Sequence, residues 1–206
     1  MMIRNLIFDF GKVLVDYDFG QFLSTFIDDP VTMRWFIQAT CNSEFVNRCD
    51  KGDETFEEII RDAQARFPQY RRELQIFHDR QTDALTGEVA GMSELLTRLK
   101  AEGYRLYGLT NWSNEVYHVM RKYSIFQLLD DQVISSEEHI IKPDPAIYHR
   151  LLERFGLMPE ECVFTDDKAE NIAGCQAVGM AGIVFENAQQ YERELRAIIS
   201  RHATRH

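Results

Sequence analysis

The stretch Ile3-Arg4-Asn5-Leu6-Ile7-Phe8-Asp9-Phe10-Gly11 decides how this chain folds. A short apolar run closes on a carboxylate and then a glycine, the pattern of a buried strand ending in a turn. A strand buried on both faces belongs to a parallel sheet, so further strands must follow, separated by helices. After Gly87 they do. A helix carrying Met92, Leu95, Leu96 and Leu99 stops at Gly103, and a strand is predicted at 105–110. A helix capped by Ser113 comes next, then a strand at 132–135 and a helix opening at Pro143. Cys162, Val163 and Phe164 predict another buried strand. A helix through Ile172 and Ala177 ends at Gly179, a strand follows at 182–185, and Leu195 and Ile199 lie on a closing helix. Five strands alternating with helices predict an α/β domain whose parallel sheet is covered on both faces.

Between about Phe19 and Leu85 strand signals nearly vanish. Amphipathic clusters replace them: Phe22, Phe26 and Ile27, then Trp35, Phe36 and Ile37, then Phe56, Ile59 and Ile60, punctuated by Pro30, Gly52 and Pro68. The expected organisation is an α/β core from residues 1–16 and 88–206, interrupted by an all-helical cap at 17–87, with a cleft between them. A chain of 206 residues accommodates that arrangement and not two equal domains.

Composition narrows the chemistry. With 45% hydrophobic and 27% charged residues the chain reads as an ordinary globular protein. Its 33 acidic against 23 basic residues give a net charge of −10, which disfavours nucleic acid and anionic membranes as partners. An anionic substrate would then require local positive charge. Cys41, Cys49, Cys162 and Cys175 have no C-x-x-C spacing and no histidine neighbours suited to zinc, and no apolar run reaches transmembrane length. A reducing cytoplasm is the expected setting.

In open parallel sheets, ligands gather beyond the carboxyl ends of the strands. Those ends supply Asp9, then Thr110 and Asn111, then, past the third strand, Lys142, and finally Thr165, Asp166 and Asp167. Carboxylates brought together repel one another unless a cation joins them, and hard oxygen ligands suit magnesium. With Mg2+ in place, Lys142 and the amide of Asn111 could hold phosphate oxygens while one carboxylate attacks phosphorus, giving an aspartyl-phosphate.

At these residues the chain resembles the haloacid dehalogenase-like hydrolase superfamily, in its branch with a helical cap after the first strand. Four motifs stand in order: Phe8-Asp9-Phe10-Gly11-Lys12-Val13, Leu109-Thr110-Asn111, Lys142-Pro143, and Phe164-Thr165-Asp166-Asp167 followed by Asn171. Together with Lys142-Pro143, the run Val15-Asp16-Tyr17-Asp18-Phe19 also resembles bacterial sugar-phosphate phosphatases related to the alpha-D-glucose 1-phosphate phosphatase group. The resemblance implies a Rossmann-like core and a phosphatase acting on a small phosphate ester, such as a sugar phosphate. It makes Asp9 the nucleophile and a magnesium ligand, with Gly11 ligating through its carbonyl, Asp167 directly, and Asp166 in support. Phe10, Gly11, Thr110, Asn111 and Lys142 would bind the substrate.

One position departs from the family pattern. Most of its phosphatases carry a second Asp two residues after the nucleophile as general acid and base, a role typically contributing about 10²–10⁴-fold; here that residue is Gly11. A water, Asp16 or Asp18 could substitute. A 2-haloacid dehalogenase, which lacks the second Asp and needs no metal, and a non-catalytic phosphate-binding protein are the alternatives. Asn171 either orients Asp167 or caps its helix. In the insert, Glu44, Asn47, Arg48 and Asp50 read as a solvated helix face, and Trp35 and Phe36 as core. His78, His118, His139 and His149 have no ligand spacing, and the tail holding His202 and His206 is expected to fray.

Overall fold

The computed structural model describes residues 2–40 and 42–203; Cys41 and His206 lie outside the described residues. Strand β1 (Asn5–Phe8) is followed by a short β2 (Val15–Tyr17) and then by helices α1 (Phe19–Ser24), α2 (Pro30–Thr40), α3 (Ser43–Lys51), α4 (Phe56–Arg66) and α5 (Arg71–Arg80). The alternating part begins with β3 (Leu85–Glu88), α6 (Met92–Ala101), β4 (Arg105–Thr110), α7 (Val116–Lys122) and β5 (Asp131–Ile134). It continues through α8 (Ser135–Glu138), α9 (Pro145–Phe155), β6 (Cys162–Asp166), α10 (Ala169–Ala177), β7 (Ala181–Val184) and α11 (Ala188–Ala203).

Five strands form one parallel sheet in the order β5-β4-β1-β6-β7. β1 sits between β4 and β6, with Phe8 opposite both Gly108 and Thr165. Because side chains alternate along a strand, Leu6 and Phe8 pack to one side with α6 and α11, while Ile7 packs to the other with α9 and α10. A separate apolar cluster, including Phe22, Phe36, Ile59, Leu74 and Phe77, holds the inserted helices together. Phe36 is fully buried in it, and Trp35 packs at its edge, stacked on Tyr70. No helix among the described residues is long and apolar enough to cross a membrane.

Local chemistry shifts several boundaries. α9 opens at Pro145 rather than Pro143, because Asp144 is its cap: Oδ1 accepts from the Ala146 N–H at 2.9 Å. α7 starts only at Val116, and Ser113 accepts a long 3.4 Å bond from the Glu115 N–H instead of capping the helix directly. Ser135 leaves the predicted strand and opens α8. At the root of the insert β2 and β3 pair antiparallel, a ribbon absent from the sequence reading since three residues are too few to show a period. The tail helix is ordered through His202, whose Nδ1 meets the Ile198 carbonyl at 2.9 Å.

Candidate active site

Parallel register places the ends of β1, β4 and β6 side by side, so Asp9, Thr110 and Asp166 meet at one edge of the sheet. Lys142 enters from the loop after α8 and is buried beneath them. Its Nζ donates to Asp166 Oδ2 at 2.7 Å and to the Leu109 carbonyl at 2.9 Å, and lies 3.0 Å from Asp9 Oδ1. Burial works against the lysine charge, but the Asp9 and Asp166 carboxylates outweigh it and raise its pKa. For Asp9 the balance tips the other way. Burial pushes its carboxyl up, Lys142 pulls it back and Asp166 repels it, leaving its pKa raised to about 6.

Asp166 is fully buried and thoroughly engaged. Oδ1 accepts from the Lys168 N–H at 2.8 Å and from Asn171 Nδ2 at 3.0 Å, while Oδ2 accepts from Lys142 and from the same Asn171 amide at 3.0 Å. A carboxylate offers about four lone-pair sites, and these four contacts occupy them. Asn171 therefore orients Asp166; the expectation that it orients Asp167 or caps α10 is corrected. Asp167 is half-buried, and burial together with Asp166 raises its pKa.

The Asn111 amide is also committed. Nδ2 donates to the Lys142 carbonyl at 3.0 Å, and Oδ1 accepts from the Lys142 N–H at 2.8 Å. It thereby shapes the loop that delivers Lys142, while the second N–H of its amide is not taken up by that contact and Asn111 lines the cavity. Thr110 differs, because its hydroxyl is buried without a hydrogen-bond partner and Thr110 lines the cavity. Such an orphan is costly unless a ligand satisfies it. Oxygens of Asp9, Asp166 and Asp167 lie within 4.8 Å of one another; with Asp166 held by its four contacts, Asp9 and Asp167 are the carboxylates left to face a cation, hard oxygen donors that suit magnesium.

The cavity above these groups measures about 340 Å³, within the usual range for small-molecule sites. Its floor includes Asp9, Gly11, Thr110, Asn111, Lys142 and Asp167; Phe45, Phe56, Phe77 and Leu85 contribute much of the wall from the insert. Phe10 is buried instead against Phe126, with ring centroids 4.8 Å apart, so only its backbone can serve a substrate. A Cβ at Gly11 would lie 3.2 Å from the Tyr17 ring, a tight contact from which the ring would have to give by a few tenths of an ångström.

Several cavity residues, among them Trp112, Glu115 and Lys168, are not picked out by the sequence, and one that is was misplaced. Asp50, assigned to a solvated face, lines the cavity at the last turn of α3. Glu44 and Asn47 are exposed as expected, and Arg48 pairs with Glu54 at 2.7 Å and Asp62 at 3.0 Å. Three contacts seat this end of α3 on the core: Ser135 Oγ donates to the Asp50 carbonyl at 2.5 Å, Asp53 lies 3.1 Å from His139, and Gly52 packs against Ser136. Gly52 has φ +72, and a Cβ there would come within 2.4 Å of the Ser136 carbonyl, so glycine is required on both counts. The only signal was Gly52 itself, a helix stop beside an acidic residue. The remaining histidines stay out of the cavity: His78 pairs with Asp79, His118 lies near Glu115 and His149 is exposed.

Known proteins resemble this arrangement. The model of the haloacid dehalogenase-like hydrolases matches residues 3–179. Over 121 residues the chain is 33% identical to the sesquiterpene phosphatase of Aspergillus oryzae, covering 58% of this chain and 62% of that protein. Over 108 residues it is 30% identical to flavin mononucleotide hydrolase 1 of Arabidopsis thaliana, covering 51% and 43%. The match thus spans only part of these relatives. In three dimensions the chain resembles a haloacid dehalogenase family enzyme of Bacteroides thetaiotaomicron solved as a magnesium complex, with TM-score 0.77, 22% identity, and coverage of 95% of this chain and all of that one.

Proposed function

The chain belongs to the haloacid dehalogenase-like hydrolase family, and from that premise we propose that it is a magnesium-dependent phosphatase of small phosphate esters, with Asp9 as nucleophile. The observation that carries the reading is the packing of one buried cation, Lys142, against two carboxylates, beside the unpartnered Thr110 hydroxyl. A phosphoryl group seated there would meet a positive charge, a hydroxyl donor and the attacking oxygen of Asp9 together.

Asp9, the Gly11 carbonyl and Asp167 would hold the magnesium ion, with Asp166 adding charge from behind. The ion would supply charge neutralisation at the transferring phosphoryl oxygens. The chain's own groups do the rest. Lys142 keeps Asp9 in place and offsets its charge, Asn111 fixes the loop carrying Lys142, and Asn171 fixes Asp166. The Asp9 carboxylate attacks phosphorus to give an aspartyl-phosphate, and water then hydrolyses it. The insert serves as a cap that excludes bulk water and selects the alcohol part of the ester; residues 17–87 and the flanking core are the two units of this proposal.

A sugar phosphate such as glucose 1-phosphate is the substrate expected from the sequence. The aromatic wall of Phe45, Phe56 and Phe77 also suits a second class, esters of apolar or flat aromatic alcohols, while Asp50, Gln81 and Thr82 in the same lining offer polar partners to a sugar's hydroxyls. The two named relatives act on a sesquiterpene phosphate and on flavin mononucleotide, by their names, which accords with that class. A haloacid dehalogenase is the weaker reading, since three clustered carboxylates would repel a substrate carboxylate. No nucleic acid or membrane enters the scheme, and the free thiols of Cys49, Cys162 and Cys175 suit a cytoplasmic home.

Phosphate release from a panel of both ester classes, with magnesium or chelator and with Asp9→Asn, tests the proposal. Magnesium-dependent release absent from the variant supports it. Chelator-resistant turnover of 2-haloacids without phosphate release would replace it.

A further inference from the structure

The missing acid at Gly11 leaves the departing alkoxide without a proton source, and the fold narrows the candidates. Asp16 is committed to Lys12, whose Nζ lies 2.5 Å from its Oδ1, and to the Tyr17 N–H at 2.8 Å. Asp18 caps α1, its Oδ1 accepting from the Gln21 N–H at 2.8 Å. Neither lines the cavity. Glu115 does, but its side chain is 40% exposed and lies near His118, which puts it at the solvated rim. Tyr17 also lines the cavity, yet burial and the surrounding carboxylates push its phenol up to about 12, too weak an acid for efficient transfer near neutrality.

Asp50 remains. Among the described residues it is the one carboxylate that the insert contributes to the cavity wall, and its backbone is fixed over the site by the bond from Ser135. Its side chain has no hydrogen-bond partner among the described residues, so it is available to a ligand. We propose that Asp50 is the general acid of the phosphoryl-transfer step, standing in from the cap for the residue absent at position 11.

The step balances. The Asp9 carboxylate oxygen forms a bond to phosphorus, the ester P–O bond breaks with its electron pair going to the alcohol oxygen, and that oxygen takes the Asp50 proton. Asp50 regains a proton from the water that hydrolyses the aspartyl-phosphate. Its surroundings suit the task. Burial is the main influence on its carboxyl; Lys168 and Lys142 pull the pKa down and Asp9 pushes it up, with Tyr17 also facing it and Cys49 beside it on α3. The result is raised to about 7. Asp50 therefore holds its proton through mildly acidic conditions and gives it up near neutrality.

This assignment rests on the phosphatase reading, and the test separates the two. kcat/KM is measured for wild type and Asp50→Asn on an alkyl phosphate, whose leaving group needs a proton, and on p-nitrophenyl phosphate, whose leaving group does not. The expected result is a fall of about 10²–10⁴-fold on the alkyl ester, less than about tenfold on the nitrophenyl ester, and loss of the basic limb of the alkyl-ester pH profile, with a melting temperature at pH 8 no lower than that of wild type, since the raised Asp50 carboxyl costs the fold stability above its pKa. Equal losses on both esters, no loss on the alkyl ester, or a basic limb retained in the variant would overturn the role of Asp50 alone. Failure of the wild type to release phosphate from p-nitrophenyl phosphate with magnesium would overturn the phosphatase reading and this role with it.

Discussion

Asn111 grips the backbone of Lys142 with both ends of its side-chain amide, donating to the carbonyl at 3.0 Å and accepting from the N–H at 2.8 Å. A neutral side chain from the end of β4 thereby sets the position of the buried cation. Asn111→Ala is expected to cost about 1–3 kcal/mol of stability by stranding those backbone groups, and to lower kcat/KM as Lys142 drifts. Chemical denaturation alongside kinetics checks this. A raised KM with unchanged stability would instead mark Asn111 as a direct phosphate ligand.

Lys142→Met should be far more damaging. Breaking a buried pair typically costs about 3–5 kcal/mol because the partner charges are left unpaired. Without the lysine, the Asp9 carboxyl, already raised by burial, binds its proton still more tightly in the folded than in the unfolded chain, so the variant gains stability as pH falls. Urea unfolding at pH 8 and pH 5 should show the larger deficit at pH 8.

Without divalent cation, Asp9 itself is a liability. Its folded pKa of about 6 exceeds the ordinary 3.8, so the folded state holds the proton through that window. Stability from this group is greatest below about pH 4 and falls as pH rises through 6, by an amount on the order of 3 kcal/mol. In chelator, Asp9→Asn should therefore melt higher than wild type at pH 8, with the gap closing towards pH 4. Magnesium should raise the wild-type melting temperature and leave the variant largely unmoved; at 100 times Kd the stabilisation is about 2.7 kcal/mol.

Restoring the family's second carboxylate should not by itself restore speed. In Gly11→Asp the new Cβ would lie 3.2 Å from the Tyr17 ring, so the ring has to give by a few tenths of an ångström. The expected outcome is a stability loss of roughly 1–3 kcal/mol with no gain in turnover, measured by thermal melts and kcat. A large gain in turnover would show that the space at position 11 is open after all.

Much of this site was legible because it sits at strand ends. Apolar runs closing on Asp9, Thr110 and Asp166 are local patterns, and parallel pairing around β1 brings such ends together almost automatically. Lys142 was legible through its motif, although its burial was not. What stayed hidden depends on contacts between distant segments. Whether Asn111 binds phosphate or the Lys142 backbone, and whether Asn171 reaches Asp166 or Asp167, turns on a few ångströms of loop geometry. Asp50 was misassigned because a helix in isolation shows which face is polar, and not what that face docks against; only the seating of α3 on Ser135 and Ser136 turns it towards the cavity.

Phosphorylation of Asp9 during turnover can be caught by acid-quenching the enzyme during magnesium-supported turnover of a phosphate ester and analysing its peptides by mass spectrometry. The expected result is one phosphoryl group on the peptide that contains Asp9, lost on treatment with hydroxylamine and absent from Asp9→Asn. Steady turnover with no phosphoryl group on that peptide at any quench time, or turnover that persists in Asp9→Asn, would contradict it.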